Sequence, residues 1–314
     1  MRRAHLKLFA LVLWLAVVLA AFYWGGEVEF SRQSGDKLSQ IEPKVCEKVR
    51  VCTWNLRNYG VARHFAGGRW REHPKPESER AEIRKILRQI DADILVLEEV
   101  QDESFLMDLR GALHAEGLSY KYWGIGANEA PMRVAVLSKI EPVEFVDKSL
   151  VTFAFDGKVR ASPRGTLGAR FVCGGVPWAV YGVHLKSKFG ARKADRNFAP
   201  FREAELSAVM ASIDKTEPIL LCGDFNDSVS ALGKIAAELG LSYIEQRDNS
   251  GRPYSYFWAK KELWFDYDRF YANSKMVPFL KCPARVFESE KHFASDHRPV
   301  FVDLDFSSIP KTSN

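Results

Sequence analysis

From Lys48 onward the chain alternates short apolar runs with turn signals, and few of its segments keep a helical period. The segments "VRVCTWNL", "DILVLEEV", "RVAVLSKI", "TLGARFVCGG", "PWAVYGVHLKS", "PILLCGDFN", "DRFYANS" and "RPVFVDLDF" read as strands. Helical period is confined to "SERAEIRKILRQI", "APFREAELSAVMASI" and "SALGKIAAELG"; in the first, Ile83, Ile86, Leu87 and Ile90 share a face and Ser78 is placed to cap. So many strands with so few helices predict stacked sheets with helices outside. No internal repeat or low-complexity tract is present.

Polar residues collect where these strands end. Asn55 closes the first, Glu98 and Glu99 the second, and His184 a later one; Asp224 and Asn226 follow another, and Asp296 and His297 precede the last. In isolation "CGDFND" is a turn, since Gly, Asn and Asp leave a strand easily. The recurrence at several strand ends argues for function, because such positions on a rigid scaffold carry binding and catalytic groups.

The first residues form a separate object. Arg2, Arg3 and Lys7 lead into an uncharged apolar run from Leu8 to Trp24, which is a membrane-targeting signal. Cleavage after Ala20 or Ala21 is one outcome, but Phe22, Tyr23 and Trp24 suit an interfacial anchor better. Residues 1–26 are therefore a signal anchor or signal peptide, 27–47 a polar tether, 48–306 the catalytic body and 307–314 a tail. With Glu27 and Glu29 after the run, the positive-inside bias leaves the N-terminus in the cytoplasm and the body on the periplasmic or extracellular side. Five cysteines show no zinc-site spacing; Cys52 and Cys222 fall in apolar runs, and an exported body would permit one disulfide. A net charge of +5 over 314 residues allows a polyanionic partner without demanding one.

Taken in order, "TWNLRNYG", "ADILVLEEV", "YGVHLKS", "CGDFND", "FDYDRFYA" and "SDHRPV" resemble the signature blocks of the endonuclease/exonuclease/phosphatase superfamily. That family includes deoxyribonuclease I type nucleases, abasic-site endonucleases, neutral sphingomyelinases and inositol polyphosphate 5-phosphatases. The resemblance spans the chain from about Lys48 to Phe306. It implies a four-layer α/β sandwich, two mixed β-sheets face to face with helices outside, and a metal-dependent phosphodiester hydrolase.

The resemblance also implies roles. Asn55, Glu99 and Asp296 hold the metal, Mg²⁺ with Mn²⁺ as the alternative, because hard oxygen ligands suit an ion that keeps several waters. Glu98 stands where many members carry glutamine, and strand alternation turns it to the face opposite Glu99. Arg57 replaces an aspartate that helps several relatives hold metal, which leaves the number of ions open. His184 and His297 match the family's phosphate-contacting histidines. Asp268 is the partner that orients His297; Asp266 competes but fits the block less well. Asp224 activates or orients water, and Asn226 donates to a phosphate oxygen. Asp227 has no role in the resemblance and reads as a solvated turn residue.

Substrate is argued from cations. Lys186, Lys188 and Arg192 follow His184, and Arg164 matches the block where deoxyribonuclease I type enzymes place a phosphate-contacting arginine. A nuclease, endo- or exo-, acting on nucleic acid is the expectation. A phosphatase or phospholipase C-type hydrolase of phosphoinositides or sphingomyelin is the alternative that the membrane segment favours. A catalytically silent, membrane-tethered binding module is the alternative of another class, and it would need no such residue set. No protein partner is implied.

Overall fold

The computed structural model describes residues 46–66, 68–188, 190, 198–288 and 294–307. The membrane segment, most of the tether, Arg192 and most of the C-terminal tail lie outside the described residues. Among the described residues no helix is long and apolar enough to cross a membrane.

The first part of the chain runs β1 (Lys48–Tyr59), β2 (Val61–Ala66), β3 (Arg69–Pro74), α1 (Glu77–Ile90), β4 (Ile94–Val100), α2 (Glu103–Ala115), β5 (Tyr122–Ile125) and β6 (Arg133–Ser138). Next come β7 (Glu144–Asp147), β8 (Thr152–Phe155), β9 (Lys158–Ala161), β10 (Thr166–Cys173), β11 (Val176–His184), α3 (Ala199–Ser212), β12 (Ile219–Asp224) and α4 (Val229–Glu238). The last part holds β13 (Leu241–Tyr243), β14 (Gln246–Arg247), β15 (Tyr256–Trp258), β16 (Leu263–Phe265), β17 (Asp268–Asn273), β18 (Leu280–Val286) and β19 (Val300–Asp305). One sheet has the order β14-β18-β19-β1-β4-β6-β5 and the other β13-β17-β12-β11-β10-β7, while β2–β3, β8–β9 and β15–β16 are separate hairpins.

Strand alternation builds three apolar layers. On β1 and β4, Val49, Val51, Ile94 and Val96 meet Val180, Leu220, Cys222 and Phe270 of the other sheet. Their neighbours Cys52, Trp54, Leu95 and Leu97 turn outward onto Ile83, Leu87, Leu106 and Leu109 of α1 and α2. On the far side Tyr181, Ile219 and Leu221 meet Leu206, Val209 and Leu232 of α3 and α4. Each such side chain, fully buried, contributes about 1.5–3 kcal/mol. Mixed sheets face to face with helices on both outer faces are the architecture expected from the strand-rich pattern.

Local expectations fared unevenly. Helix α1 begins at Glu77 behind Pro76 and has no side-chain cap, so Ser78 lies inside the helix instead of capping it. Helix α2 was not anticipated, although its signals were present: Asp102 caps Ser104 and Phe105 N–H, and Leu106, Leu109 and Leu113 recur on one face. Gly223 explains a glycine inside β12. Its φ is +132°, and an added Cβ would lie 2.0 Å from the Val183 carbonyl oxygen on the neighbouring β11. Gly223→Ala is expected to destabilise the protein by about 2–5 kcal/mol, from strain plus overpacking. Gly233→Ala, inside α4 with nothing within 4 Å of the new Cβ, should stabilise it by about 0.5–1 kcal/mol. Urea denaturation measures both, and equal effects would remove the close-approach argument.

Candidate active site

The strand order brings the polar strand ends to one rim. β1 runs parallel to β4, and β11 parallel to β12, so Asn55, Glu98, His184 and Asp224 emerge at the C-terminal ends of paired strands. Antiparallel β17 starts at that rim, setting Asp268 opposite Asp224, and the segment before β19 brings in His297. Asp268 belongs to one sheet and His297 leads into the other. They join through a buried contact in which His297 Nδ1 donates to Asp268 Oδ2 at 2.8 Å. The competitor Asp266 is used elsewhere, accepting Val229 N–H at 3.1 Å at the start of α4.

Three further contacts lock His297. Trp54 Nε1 donates to its carbonyl at 2.9 Å, its own N–H donates to Ser295 Oγ at 3.1 Å, and Tyr256 packs on the ring at 4.6 Å. Burial pulls its pKa down, but the carboxylates of Asp268 and Asp224 outweigh this and hold it well above the ordinary histidine value. His297 is thus an imidazolium with Nδ1 engaged and Nε2 3.9 Å from Asp224 Oδ2. His184 is the opposite case: burial, reinforced by Arg164 and the other cations, drives its pKa well below the usual value. Its Nε2 lies 3.5 Å from Asp224 Oδ2, and its Nδ1 has no partner among the described residues.

Asp224 is the hub. It accepts from Asn226 N–H at 2.8 Å, Asn226 Nδ2 at 3.0 Å and Asn55 Nδ2 at 3.1 Å. Burial pushes its carboxyl up to about 6, against the pull of the His297 charge. Asn226, at φ +51°, also donates to the Leu185 carbonyl at 3.1 Å, tying the β11 and β12 ends together.

The two glutamates part company. Glu98 continues the inward row of β4 into the space between the sheets, fully buried, with Thr53 Oγ1 donating to Oε1 at 2.7 Å and Oε2 unpartnered. Burial raises its pKa far above the carboxylate range, so it is a neutral acid. Glu99 leaves the strand pattern at φ +62°, where the ladder register shifts, and comes to the open rim. It accepts Asn58 N–H at 2.8 Å and Asn55 Nδ2 at 3.3 Å, and has no Lys or Arg partner among the described residues. An accessible carboxylate without a cation, next to an amide oxygen that accepts only the Arg57 N–H, fits a hard divalent ion. Asp296 lies 3.8 Å from the Arg57 guanidinium. A second set of ligand atoms, from Asp224, Asp268 and His297, lies within 4.8 Å of one another, but the Asp268–His297 hydrogen bond already uses two of its three members.

Cations flank the rim. Arg164 and Lys186 lie close enough to His184 to depress its basicity. Lys186 Nζ sits 4.5 Å over the Phe198 ring. Lys188 Nζ contacts Asp227 Oδ1 at 2.9 Å and the Tyr267 hydroxyl at 2.9 Å. Asp227 is therefore no solvated turn residue. It is buried, and fully buried Arg202 donates to its Oδ2 at 2.6 Å while reaching the Lys186 carbonyl at 2.9 Å. Buried Glu205 accepts Lys186 N–H at 2.8 Å and Ser162 Oγ at 2.6 Å. Arg202 and Glu205, one helical turn apart on α3, thus clamp the loops that follow β11 and β12. The sequence reading missed this pair, although two opposite charges on the inner face of an amphipathic helix were the available signal.

A model of the Endonuclease/Exonuclease/phosphatase family matches residues 52–297. No curated protein matches the chain in sequence. Similar solved structures include an endonuclease/exonuclease/phosphatase from Beutenbergia cavernae, at 19% identity and TM-score 0.60 over 82% of this chain and 72% of that one. The beta toxin of Staphylococcus aureus aligns at 14% identity and TM-score 0.60, covering 81% of this chain and 99% of that one. A 3′ phosphatase from Neisseria, bound to a product DNA hairpin, aligns at 17% and 0.54, covering 82% and 99%. At these identities the structural likeness is one of fold; the family match extends over most of the chain and takes in every residue of the rim just described, so the protein belongs to the Endonuclease/Exonuclease/phosphatase family of phosphoester hydrolases.

Proposed function

We propose that the protein is a divalent-metal-dependent phosphodiesterase acting on nucleic acid, held at a membrane by its N-terminal segment with the folded body on the periplasmic or extracellular side. The observation that carries the reading is the convergence of two buried histidines on Asp224, their Nε2 atoms 3.5 and 3.9 Å from its Oδ2, with His297 held from behind by Asp268. An imidazole whose pKa is raised, beside a buried carboxylate, separates proton donation at His297 from proton acceptance at Asp224 within a few ångströms. Glu99 and Asn55 would hold Mg²⁺ or Mn²⁺, which supplies charge neutralisation to the bound phosphate. Asp224 orients the attacking water and accepts its proton as oxygen bonds to phosphorus. His297, kept aligned by Asp268, gives the Nε2 proton to the departing oxygen, while Asn226 and His184 hold Asp224 in place beside the phosphate.

Nucleic acid is favoured by what lies beside this centre. A cleft of about 580 Å³ next to Asn226 is walled by Tyr256, Trp258, Phe265 and Tyr267, with Lys188 at its edge. Tyr256 stacks on Tyr267 at 5.1 Å and 12°, and Phe265 on Tyr267 at 5.0 Å and 26°, so the wall is a packed aromatic cluster. Flat aromatic faces with a neighbouring cation suit a base and its phosphate. A 3′ phosphatase of the same fold, bound to a product DNA hairpin, agrees with this choice; a lipid-directed hydrolase is the second reading, favoured by the N-terminal apolar segment. Assays on plasmid DNA, single-stranded oligonucleotide, RNA, sphingomyelin and inositol phosphates separate the two. Turnover confined to the lipid or inositol substrates would overturn the nucleic-acid assignment.

Three outcomes are expected. His297→Ala, Asp268→Asn and Asp224→Asn should each lower kcat by about a hundredfold or more, with less than multiplicative losses in combination. Asp266→Asn should stay within about threefold of the parent, because no acid–base step passes through it; an equal loss there would discard the Asp268 assignment. Chelator should abolish hydrolysis and Mg²⁺ or Mn²⁺ should restore it, with Glu99→Ala far more damaging than Glu98→Gln; full activity in excess chelator would end the metal reading. For duplex DNA bound in chelator, Arg164→Gln with Lys188→Gln should flatten the log–log salt dependence by about 0.9 per lost phosphate contact, and an unchanged slope would remove these side chains from the substrate path.

A further inference from the structure

At the rim opposite the catalytic centre, the chain enters the folded body beside the turn between β10 and β11. Gly174 N–H donates to the Cys46 carbonyl at 2.8 Å, and Phe306 N–H donates to the Glu47 carbonyl at 2.6 Å, so residues 46 and 47 are held from both sides. Cys173, the last residue of β10, is fully buried, while Cys46 is half-buried and packs on the same apolar layer. The Gly174–Cys46 hydrogen bond thus brings Cys46 alongside the end of β10, where both side chains pack into one apolar layer. Around Cys173 the frame is rigid: Phe171 stacks on Trp178 at 5.2 Å, Trp178 packs on Phe306 at 5.4 Å, and a Cβ on Gly174 would meet the Phe306 carbonyl at 2.6 Å. Of the other three, Cys52 is buried in the layer under α1 and α2, Cys222 lies within β12, where no backbone contact with residues 46 or 47 is found among the described residues, and Cys282 is exposed.

We propose that Cys46 and Cys173 are a disulfide-forming pair that fastens the start of the catalytic body to the end of β10. The oxidant is a disulfide of the exchanging class, such as oxidised glutathione or the disulfide of a thiol oxidase. The half-exposed Cys46 sulfur is the one an external disulfide reaches; its pKa is raised by the Cys173 contact and by burial, so it gives up its proton as it attacks one sulfur of that disulfide, forming a mixed disulfide and expelling one thiol. Cys173 then loses its proton, attacks Cys46 Sγ and expels the second thiol. The protein loses two protons and two electrons, and the oxidant leaves as two thiols. The bond closes a long loop, the case in which a cross-link restricts the unfolded chain most. It also places the covalent staple at the point where a pull on the tether would otherwise peel away the first residues of the body.

The test uses the full chain in detergent, equilibrated in a buffer of oxidised and reduced glutathione and quenched with N-ethylmaleimide, followed by non-reducing tryptic mapping. The expected product is the peptide 45–48 linked to the peptide 171–186, with Cys282 carrying maleimide or glutathione. The oxidised parent should lose roughly 5–15 °C in Tm when a phosphine reductant is added. Cys46→Ser and Cys173→Ser should show no such reductant dependence. Recovery of both residues singly labelled, glutathione retained on Cys46, or a link from Cys46 to Cys282 would each overturn the pairing.

Discussion

Everything at the catalytic rim depends on the distance between the two sheets. Asn55 and Glu99 belong to one sheet and His184, Asp224 and Asp268 to the other, and His297 leads into β19 of the first. The contacts that define the site, Asn55 to Asp224 and Asp268 to His297, therefore cross from sheet to sheet. What sets the separation is the apolar layer between them and the glycines that permit close approach. At Gly182 an added Cβ would fall 2.4 Å from Val96 Cγ1, so a larger residue would wedge the sheets apart just beneath the histidines. Protein interiors are close-packed and respond to such wedges as rigid bodies, which converts core packing into site geometry.

Charge at the rim is managed by burial as much as by pairing. Glu98, Asp224 and Asp268 are all buried within one small volume, and three full negative charges there would be costly. The structure avoids this in different ways. Glu98 is kept neutral, Asp224 is poised near 6, and Asp268 is matched by the charged His297. Glutamine at position 98 would present the same shape as the neutral acid, which accounts physically for a glutamate there doing no harm. Behind the site a second buried set, Asp227 with Arg202 and Lys188, carries its charges in close pairs. That set stiffens the loops holding Asn226 and Lys188, so helix α3 supports the rim without entering it.

Much of the fold was legible because strand alternation and turn residues are local signals. The eight strands read from apolar runs correspond to strands in the two large sheets, and all three helices foreseen are present. What escaped was marked by weaker or competing signals. Helix α2 follows a strand so closely that its Asp102 cap looks like an ordinary turn residue. Ser78 had the chemistry of a cap but lies past Pro76, which enters the helix without one. The short β2–β3, β8–β9 and β15–β16 hairpins carry mixed charge and aromatic residues that blur period two. Asp227 resembled its solvated neighbours in a run of turn residues, and only the arrival of Arg202 from a distant helix makes it a buried ion pair.

By itself the sequence determined which chemistry was available: strand-end carboxylates, amides and histidines in an order that resembles one hydrolase family, on a body with enough alternating apolar residues to make two sheets. It also placed Glu98 on the face of Ile94 and Val96, whereas the positive-φ departure that brings Glu99 to the rim was not legible in it. Only the tertiary structure decided which of those groups meet. Asp268 and not Asp266 holds His297, Asp296 lies beside Arg57, burial lowers the basicity of His184 while neighbouring carboxylates raise that of His297, and Cys46 packs into the layer that holds Cys173. The physical reason is common to all of them: protonation state and hydrogen-bond partner are set by burial and by groups far away in the chain, and neither quantity exists until the two sheets have closed on each other.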